Sequence, residues 1–340
     1  MSRTAVVIFN LGGPDSPEAV RPFLKNLFSD PMILRVPGPI RWFLSRLISW
    51  RRAPVAKKIY AEIGGRSPIL HETEKQAAAL QSILGDGYRV FIAMRYWHPF
   101  AGTVAQDVAD WVPDRVILLP LYPQFSTTTT ESFSRVWYAA SRNAGLTAPT
   151  SEICCWPEAP GFIETVARMT DAAIDNISTA KHYRVLFSAH GLPQKIVDAG
   201  DPYAHQVERT TAAILDKMTH KEIDSLVCYQ SRVGPLEWLR PYTEDEIKKA
   251  GMEKRALVIV PVAFVSEHSE TLVELDIEYA ELAIKSEVPE YLRVPTARIR
   301  EPFIRSIADL VKAAPETGPV AGGTVCTADF GNCPCRQKAI

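Results

Sequence analysis

Short, continuously apolar runs recur along this chain and alternate with longer segments of helical periodicity. A strand with one solvent face alternates apolar and polar residues, whereas a continuous apolar run is typical of a parallel strand covered on both faces. We predict strands at Ala5–Asn10, Tyr88–Met94, Arg115–Leu121, Glu152–Cys155, Arg184–Ala189, Ser225–Tyr229, Ala256–Val262 and Tyr291–Val294. Their alternation with helices predicts an α/β fold built on parallel sheets.

The two halves of the chain resemble each other. Leu118–Ser126 is similar to Ile259–Ser266, because each is an apolar strand with an internal proline that leads through an aromatic residue to a serine. Buried strands can also look alike without a common origin, which is the alternative interpretation. The similarity and the strand spacing predict two Rossmann-like halves, each a four-stranded parallel sheet flanked by helices. We place the first half at 1–160, the second at 161–315 and a cysteine-bearing tail at 316–340.

The composition is that of an ordinary globular protein, with 46% hydrophobic residues, 23% charged residues and a formal net charge of −1. This balance excludes a largely disordered chain and gives no sign of nucleic-acid binding. The phosphate-binding patterns G-x-G-x-x-G and G-x-x-x-x-G-K-[ST] are not found, which argues against a nicotinamide enzyme and an NTPase. No apolar stretch reaches about 18 residues and none at the N-terminus suits a signal peptide, so a cytoplasmic protein is expected.

The segment 31–52 interrupts the first half with a pattern of apolar and basic residues. Helical spacing places Ile40 and Phe43 on one face, and Arg46 and Arg52 with intervening serines on the other. A basic amphipathic helix of this kind suits a membrane interface or the mouth of an apolar ligand site. The simpler interpretation is a helix that packs its apolar face on the protein's own core.

Six cysteines are too few for a disulfide scaffold in a chain of this length, and their clustering suggests metal or redox chemistry. Cys326, Cys333 and Cys335 lie in a tail that follows a glycine- and proline-rich stretch not expected to be helical. Three thiolates need a fourth ligand to hold zinc or a [2Fe–2S] cluster, and Cys154 or Cys155 is the candidate. Because adjacent strand residues point to opposite faces, only one of these two is expected to reach such a centre. Surface thiols that simply oxidise are the alternative.

Two strand ends carry further candidates. His190 ends an apolar strand, where α/β proteins bind ligands, so its imidazole is a candidate metal ligand or proton acceptor. Arg95 and Tyr96 follow another strand, where they can bind a carboxylate or stack on a planar ring. The alternatives are a histidine hydrogen-bonded within its turn, and ordinary loop packing around the arginine and tyrosine.

An acidic segment follows the seventh predicted strand. Glu267, Glu270, Glu274 and Glu278 recur at spacings of three and four residues, which predicts a ridge on one face of a helix over Glu267–Ile284. Grouped carboxylates bind hard divalent cations and have raised pKa values suited to proton relay. A solvated acidic face is the alternative.

Taken together, these motifs resemble those of the ferrochelatases, enzymes that insert ferrous iron into protoporphyrin IX to give haem. The resemblance is carried, in family order, by Asn10–Pro14, Ile63–Ile69, Met94–Pro99, Leu121–Ser126, Ser188–Pro193, Gly200–Tyr203, Gln230–Pro235 with Trp238-Leu239, and Phe264–Tyr279. It implies a chelatase-like fold and the insertion of Fe²⁺ into protoporphyrin IX, the last step of haem biosynthesis.

The resemblance also implies roles for individual residues. His190 and Glu270 are expected to be catalytic, with His190 assigned to metal coordination or to abstraction of pyrrole protons. Residues expected to bind the porphyrin are Leu11, Arg95, Tyr96, Tyr203 and Trp238. Residues expected to bind or conduct the metal are His190, Glu270, Glu267, His268, Glu274 and Glu278. The helix at Ile40–Trp50 is expected to be an apolar lip that receives porphyrin from the membrane.

The tail spacing resembles that of bacterial members with a [2Fe–2S] cluster, which implies as cluster ligands Cys326, Cys333, Cys335 and Cys155 or Cys154. Thr127 stands where animal members place a distant cluster cysteine, which leaves the fourth ligand to the adjacent pair. A homodimer is expected by likeness to cluster-bearing relatives. Two alternatives are a chelatase for another tetrapyrrole or metal, such as coproporphyrin or cobalt, and a haem or iron–sulfur carrier without turnover.

Overall fold

The computed structural model describes residues 2–178, 182–323 and 326–336. These residues form two compact units. The first contains the chain up to Cys155 together with Ala308–Ala321, and the second contains Trp156–Ile307 and the tail from Gly322. Within the predicted tail, the residues outside the described ranges are 324–325 and 337–340.

The first unit is built on a five-stranded parallel sheet. Its strands are β1 (Thr4–Asn10), β2 (Tyr88–Met94), β3 (Arg115–Pro120), β4 (Thr150–Cys155) and β9 (Gly318–Ala321). Its helices are α1 (Val20–Ser29), α2 (Gly38–Ala61), α3 (Ile69–Leu84), α4 (Ala101–Asp110) and α5 (Thr130–Asn143). The strand order is β2-β1-β3-β4-β9, and every residue of β1 is buried, as its continuous apolar sequence requires.

The second unit is built on a four-stranded parallel sheet. Its strands are β5 (Tyr183–His190), β6 (Ser225–Gln230), β7 (Ala256–Pro261) and β8 (Tyr291–Arg293), in the order β6-β5-β7-β8. Its helices are α6 (Pro160–Asp175), α7 (Gln194–Asp198), α8 (Tyr203–Lys217), α9 (Thr243–Met252), a π-helix (Glu270–Glu278) and α10 (Tyr279–Lys285). A further helix, α11 (Glu301–Ala313), contains the point where the chain returns to the first unit.

The predicted pair of parallel α/β halves is confirmed, but the expectation of four strands in the first sheet is wrong. The Gly/Pro-rich stretch after α11 supplies β9, which pairs in parallel with β4. As an edge strand β9 is mostly half-buried, so it lacks the continuous apolar run that marks the other strands. The structure also separates the units after Cys155 rather than after residue 160.

The helix predicted over Glu267–Ile284 begins later and is not α-helical throughout. Its first part, Glu270–Glu278, is a π-helix, and α10 continues it. Backbone hydrogen bonds of the i→i+5 type are rare and occur most often at functional sites. The acidic segment is therefore locally unusual as well as charged.

Candidate functional site

His190 is the last residue of β5, at the carboxyl end of the second sheet. Its Nδ1 lies 2.6 Å from the carbonyl oxygen of Gly191, which can only accept a hydrogen bond, so Nδ1 carries the proton. In the neutral ring Nε2 therefore keeps its lone pair, and it lies 3.6 Å from Oε1 of Glu270. The turn thus fixes the tautomer and leaves Nε2 able to bind a metal or accept a proton.

Glu270 opens the π-helix and lies between two imidazoles. Its Oε1 faces His190, and its Oε2 lies 3.3 Å from Nε2 of His268. Burial by itself raises the pKa of Glu270, but the charge that His190 carries when it is protonated, together with the hydrogen bond and charge of His268, outweighs burial and lowers this pKa to about 2. Glu270 is therefore an ionised carboxylate at neutral pH.

Tyr203 lies beside this pair, as the first residue of α8. The residue is 8% exposed, and burial raises the pKa of its hydroxyl, followed by the charges of Tyr229 and Glu270. A hydrogen bond with the backbone of His190 acts in the opposite direction. Tyr203 is thus a neutral phenol in contact with the strand end that carries His190.

Trp238 lies against the segment that follows His190. It pairs with Pro193 in an antiparallel β-bridge, and its Nε1 donates to the carbonyl oxygen of Val233 at 3.1 Å. A Cβ added to Gly191 would lie 3.2 Å from Cε3 of the indole, so this ring covers the Gly191 backbone. Glycine at that position lets the aromatic ring approach closely.

Glu274 is held by four hydrogen-bond donors. Its Oε1 accepts from the Ser231 amide at 2.8 Å and from the Tyr279 hydroxyl at 3.0 Å. Its Oε2 accepts from Nε2 of Gln230 at 3.1 Å and from the Ser231 hydroxyl. Burial raises the pKa of Glu274 despite these donors. The carboxylate therefore ties the π-helix to the end of β6.

The other two predicted acidic residues have different surroundings. Oε1 of Glu267 accepts from Nη1 of Arg293 at 2.8 Å and from the Thr296 amide at 2.9 Å. Burial raises the pKa of Glu267, but Arg293 and these hydrogen bonds outweigh it and the net shift is downward. Glu278 is exposed, and its pKa is raised by partial burial and by the charge of Glu244. Of the four predicted acidic residues, only Glu274 and Glu278 therefore have the expected raised pKa. Cationic partners lower the pKa of the other two, Glu267 and Glu270.

The predicted residues of the first unit meet at a buried carboxylate. Asp30, at the end of α1, accepts from Nη2 of Arg95 at 2.8 Å, from the Tyr96 hydroxyl at 2.6 Å and from the Ser132 hydroxyl. Tyr96 is fully buried, and its amide donates to the carbonyl oxygen of Leu11 at 2.9 Å. Asp30 and Ser132 are therefore structural partners that the sequence analysis did not identify.

Helix α2 buries two serines and exposes several of its large apolar residues. Ser45 and Ser49 are 0% and 1% exposed, whereas Trp42, Phe43 and Trp50 are each about 60% exposed. The serine hydroxyls donate to backbone carbonyls of their own helix, so they can be buried without losing a hydrogen bond. The predicted apolar face is thus divided: Leu44, Leu47 and Ile48 are half-buried against the protein, whereas Ile40 and Phe43 are exposed. Among the described residues, no helix is both long and apolar enough to cross a bilayer.

Cys154 and Cys155 end β4 with their Sγ atoms 3.4 Å apart. The expectation that they point to opposite faces is wrong. The pairing of β4 with β9 shifts register between Ile153 and Cys155, which breaks the alternation of side chains. The directions of the two side chains therefore do not decide whether Cys154 or Cys155 is the better candidate ligand.

In the second unit, Cys326 and Cys333 are buried and Cys335 is half-buried. Nε2 of Gln206 donates to Sγ of Cys326 at 3.2 Å. The six cysteines all lie in the described ranges and none forms a disulfide. Reduced thiols with an N–H donor suit iron–sulfur ligation, although no group of three or more His, Cys, Asp or Glu side chains in the described part of the chain surrounds a common metal position.

Comparison with known proteins adds a family. The Ferrochelatase family model matches residues 3–314. Proteins named ferrochelatase from Caulobacter vibrioides and Phenylobacterium zucineum are each 50% identical, with coverage of 99% and 98% of both chains respectively. One from Rickettsia bellii is 45% identical over 98% of this chain and 95% of its own.

Two solved structures have a similar fold. SirB from Bacillus subtilis with Fe³⁺ gives a TM-score of 0.51 at 9% identity, covering 92% of this chain and 95% of that one. The sirohydrochlorin chelatase SirB from Bacillus subtilis subspecies spizizenii in complex with cobalt gives a TM-score of 0.50 at 12% identity, covering 92% of this chain and 94% of that one. At such identities the likeness concerns the fold alone. The family match over nearly the whole length, together with relatives that share up to half of the residues, shows that the chain belongs to the ferrochelatase family.

Proposed function

We propose that this chain inserts Fe²⁺ into protoporphyrin IX to form protohaem, with His190 and Glu270 as the catalytic residues. Iron insertion into a porphyrin is the activity of the family to which the chain belongs. The observation that carries the assignment is the Nε2 atom of His190, which keeps its lone pair 3.6 Å from an ionised carboxylate.

The chemistry requires that two pyrrole N–H protons leave as the iron substrate enters the macrocycle. A neutral imidazole accepts a proton near neutral pH, and the Glu270 carboxylate beside it stabilises the imidazolium that forms. His268 holds the second oxygen of Glu270, so the carboxylate is oriented before substrate arrives. Glu274 and Glu278 continue from this carboxylate along the π-helix, which supports the proposal that they conduct the metal or the departing protons.

Tyr203 and Trp238 are proposed as porphyrin-binding residues because their rings lie beside the strand end of His190, with Tyr203 buried and Trp238 half-buried. A flat macrocycle must be distorted before its nitrogens face a metal, and rigid aromatic walls can supply binding energy for that distortion. In the first unit, the contacts of Arg95 and Tyr96 with Asp30 support a part in holding the loop next to Leu11.

An anaerobic assay with protoporphyrin IX and Fe²⁺, followed by visible absorption, tests the proposal. The test variants are His190→Ala and Glu270→Gln, and matched controls are His71→Ala and Glu281→Gln, both at exposed positions. The test variants should lose about 100-fold or more in rate while still binding porphyrin, because they lose proton transfer and not the aromatic walls. Wild-type rates in His190→Ala would refute the assignment.

The same assay separates the alternatives. A preference for coproporphyrin or for cobalt would show a chelatase of another specificity, and bound haem without turnover would show a carrier. The exposed apolar residues of α2 favour protoporphyrin, because a more polar porphyrin would not need an apolar surface on the protein.

We further propose a [2Fe–2S] cluster bound by Cys326, Cys333 and Cys335 with Cys155 or Cys154. The reduced thiols and the N–H donor of Gln206 support this assignment. When bound, the cluster would supply one-electron redox chemistry or a cross-link between distant segments. Visible absorption of anaerobically purified protein tests for the cluster. Cys333→Ser and either Cys154→Ser or Cys155→Ser should abolish the iron–sulfur absorption bands, and the control Cys228→Ser should retain them.

Helix α2 is proposed as a peripheral membrane contact at the cytoplasmic face. Exposed tryptophan and phenylalanine next to arginines are typical of interfacial helices. Sedimentation with anionic phospholipid vesicles should fall about tenfold or more in Trp42→Ser/Phe43→Ser and stay unchanged in Ile284→Ser, an exposed apolar residue elsewhere. Equal binding of all three proteins would contradict the proposal. The expected homodimer stays a prediction that analytical ultracentrifugation would test.

A further inference from the structure

The cysteine-bearing tail packs against the turn that leads into α8, within the second unit. The backbone amide of Asn332 donates to the carbonyl oxygen of Gly200 at 3.2 Å, and its Nδ2 donates to that of Ala199 at 2.9 Å. Gly200 has φ +95°, and a Cβ there would lie 3.0 Å from the amide nitrogen of Gly331. Glycine is required here by both the backbone conformation and the close approach of the tail.

Two side chains extend this contact along α8. The ring of Phe330 stacks on His205, with centroids 4.7 Å apart and planes 25° from parallel. Gln206, which is 1% exposed, donates from Nε2 to Sγ of Cys326 at 3.2 Å. Asn332 therefore contacts the turn at Ala199 and Gly200, while Phe330 and Cys326 contact His205 and Gln206 in the first turn of α8.

The same turn carries Tyr203 toward the catalytic pair. The Tyr203 amide donates to Oδ1 of Asp201 at 3.1 Å, so the turn sets where the tyrosine leaves the backbone. The Tyr203 side chain is 8% exposed, and the backbone of His190 and the charge of Glu270 both act on the pKa of its hydroxyl, so the hydroxyl lies next to this pair. A continuous set of contacts thus runs from the tail, through the turn, to His190.

We propose that the tail segment Cys326–Asn332 is a positioning element that fixes the turn Ala199–Tyr203 and thereby holds Tyr203 against His190. The inference rests on the proposed function and deepens it, because it assigns the tail a part in porphyrin binding. Gln206 lies one helical turn from Tyr203, so its hydrogen bond to the Cys326 sulfur joins the tail to the helix next to the proposed porphyrin site.

The test uses the full chain as purified, with the double variant Phe330→Leu/Asn332→Ala. Asp329→Ala, at an exposed position of the same segment, is the matched control. Phe330→Tyr, which keeps the stacked ring, is the conservative variant. The measurements are amide hydrogen exchange of residues 199–206, protoporphyrin affinity by fluorescence, the separate KM and kcat for iron insertion, and the visible spectrum.

We expect exchange at 199–206 to rise about tenfold in the double variant, because a hydrogen bond and an aromatic stack are lost. In the double variant, protoporphyrin affinity should fall and KM for porphyrin should rise, each by about threefold or more. Its unfolding midpoint and its visible spectrum should equal those of wild type. Phe330→Tyr should restore most of the porphyrin affinity that Phe330→Leu loses.

Unchanged exchange and porphyrin affinity in the folded double variant would overturn the inference, since the tail would then only rest on the turn. If the double variant does not fold, Phe330→Leu alone gives the same comparison. If wild type itself fails to convert porphyrin, the proposed function has failed, while exchange and affinity still decide whether the tail positions Tyr203.

Discussion

His268 donates to Glu270 across 3.3 Å from Nε2, while its Nδ1 lies 3.0 Å from the carbonyl oxygen of Ser266. Both partners can only accept, so both ring nitrogens carry protons and the ring is an imidazolium. Burial by itself lowers the pKa of His268, but the hydrogen bond and charge of Glu270 outweigh burial and raise it. The Glu270 carboxylate is thus held by a buried cation.

Replacing Glu270 by glutamine should lower the pKa of His268, because burial is then no longer outweighed by a carboxylate. Proton NMR of the histidine Cε1 positions across a pH series measures this change, with Glu281→Gln as the control. In wild type the raised pKa means that the pair stabilises the fold fully below the unfolded pKa of histidine and loses this contribution as the pH rises through the folded pKa. An unchanged His268 titration in Glu270→Gln would contradict this account.

Glu274→Ala should destabilise the protein by about 1–3 kcal/mol, because it leaves the donors of Gln230, Ser231 and Tyr279 without their acceptor. Urea unfolding measures the free energy. Glu281→Ala removes only an exposed ion pair with Lys285 and should change it by about 0.5 kcal/mol or less. Equal effects of the two substitutions would show that Glu274 does not brace the end of β6.

Asp30→Ala should cost about 3–5 kcal/mol, since it leaves the Arg95 guanidinium without its buried counter-charge and removes the acceptor of the Tyr96 hydroxyl. Tyr96→Phe removes the hydrogen bond to Asp30 and the longer contact with Ser132, and should cost about 1 kcal/mol. Denaturant unfolding of both variants, with the exposed Asp110→Ala as control, gives the comparison. A cost for Asp30→Ala as small as that of the control would mean that the network around this carboxylate contributes little.

The buried Glu152 on β4 should make stability depend on pH. It accepts from the Ser134 hydroxyl at 2.5 Å and from the Tyr138 hydroxyl at 3.2 Å, yet burial raises its pKa above the usual range of a glutamate. Because the folded pKa is raised, its contribution is fully present below the unfolded pKa and is lost as the pH rises through the folded pKa. The free energy of unfolding of wild type should therefore decline relative to Glu152→Gln over that range. A difference that is constant with pH would refute this.

Much of the fold could be predicted because burial on both faces leaves a direct mark in the sequence. The eight predicted strands match β1 to β8 within two residues at each end. The fifth strand of the first sheet could not be found in this way, because Gly318 and Pro319 occupy a half-exposed edge. The π-helix was equally hidden, since the spacing of Glu270 and Glu274 suits an α-helix as well.

The amphipathic pattern of α2 was found, but not which side faces the protein. Large apolar residues normally mark the core side, yet here Ser45 and Ser49 are buried. Periodicity records two faces and cannot say which is covered when small residues allow close packing. The exposure of Trp42 could therefore not be predicted from the sequence.

The candidate site also has residues that local sequence signals identify and residues that they do not. His190 and Glu270 could be singled out from strand ends and charge spacing, which are local signals. The partners of Glu267 and Glu274 were missed because Arg293 and Ser231 reach the acidic segment from elements distant in sequence. For Asp30, the one available signal was its place directly before Pro31, which marks a turn but not a buried carboxylate.

The pairing of β9 with β4 has a consequence for biosynthesis. Almost the entire chain must leave the ribosome before Gly318–Ala321 can join the strand that ends at Cys155. During translation the first sheet therefore presents an open β4 edge while the second unit is being made. Such an edge can pair with other chains until β9 covers it.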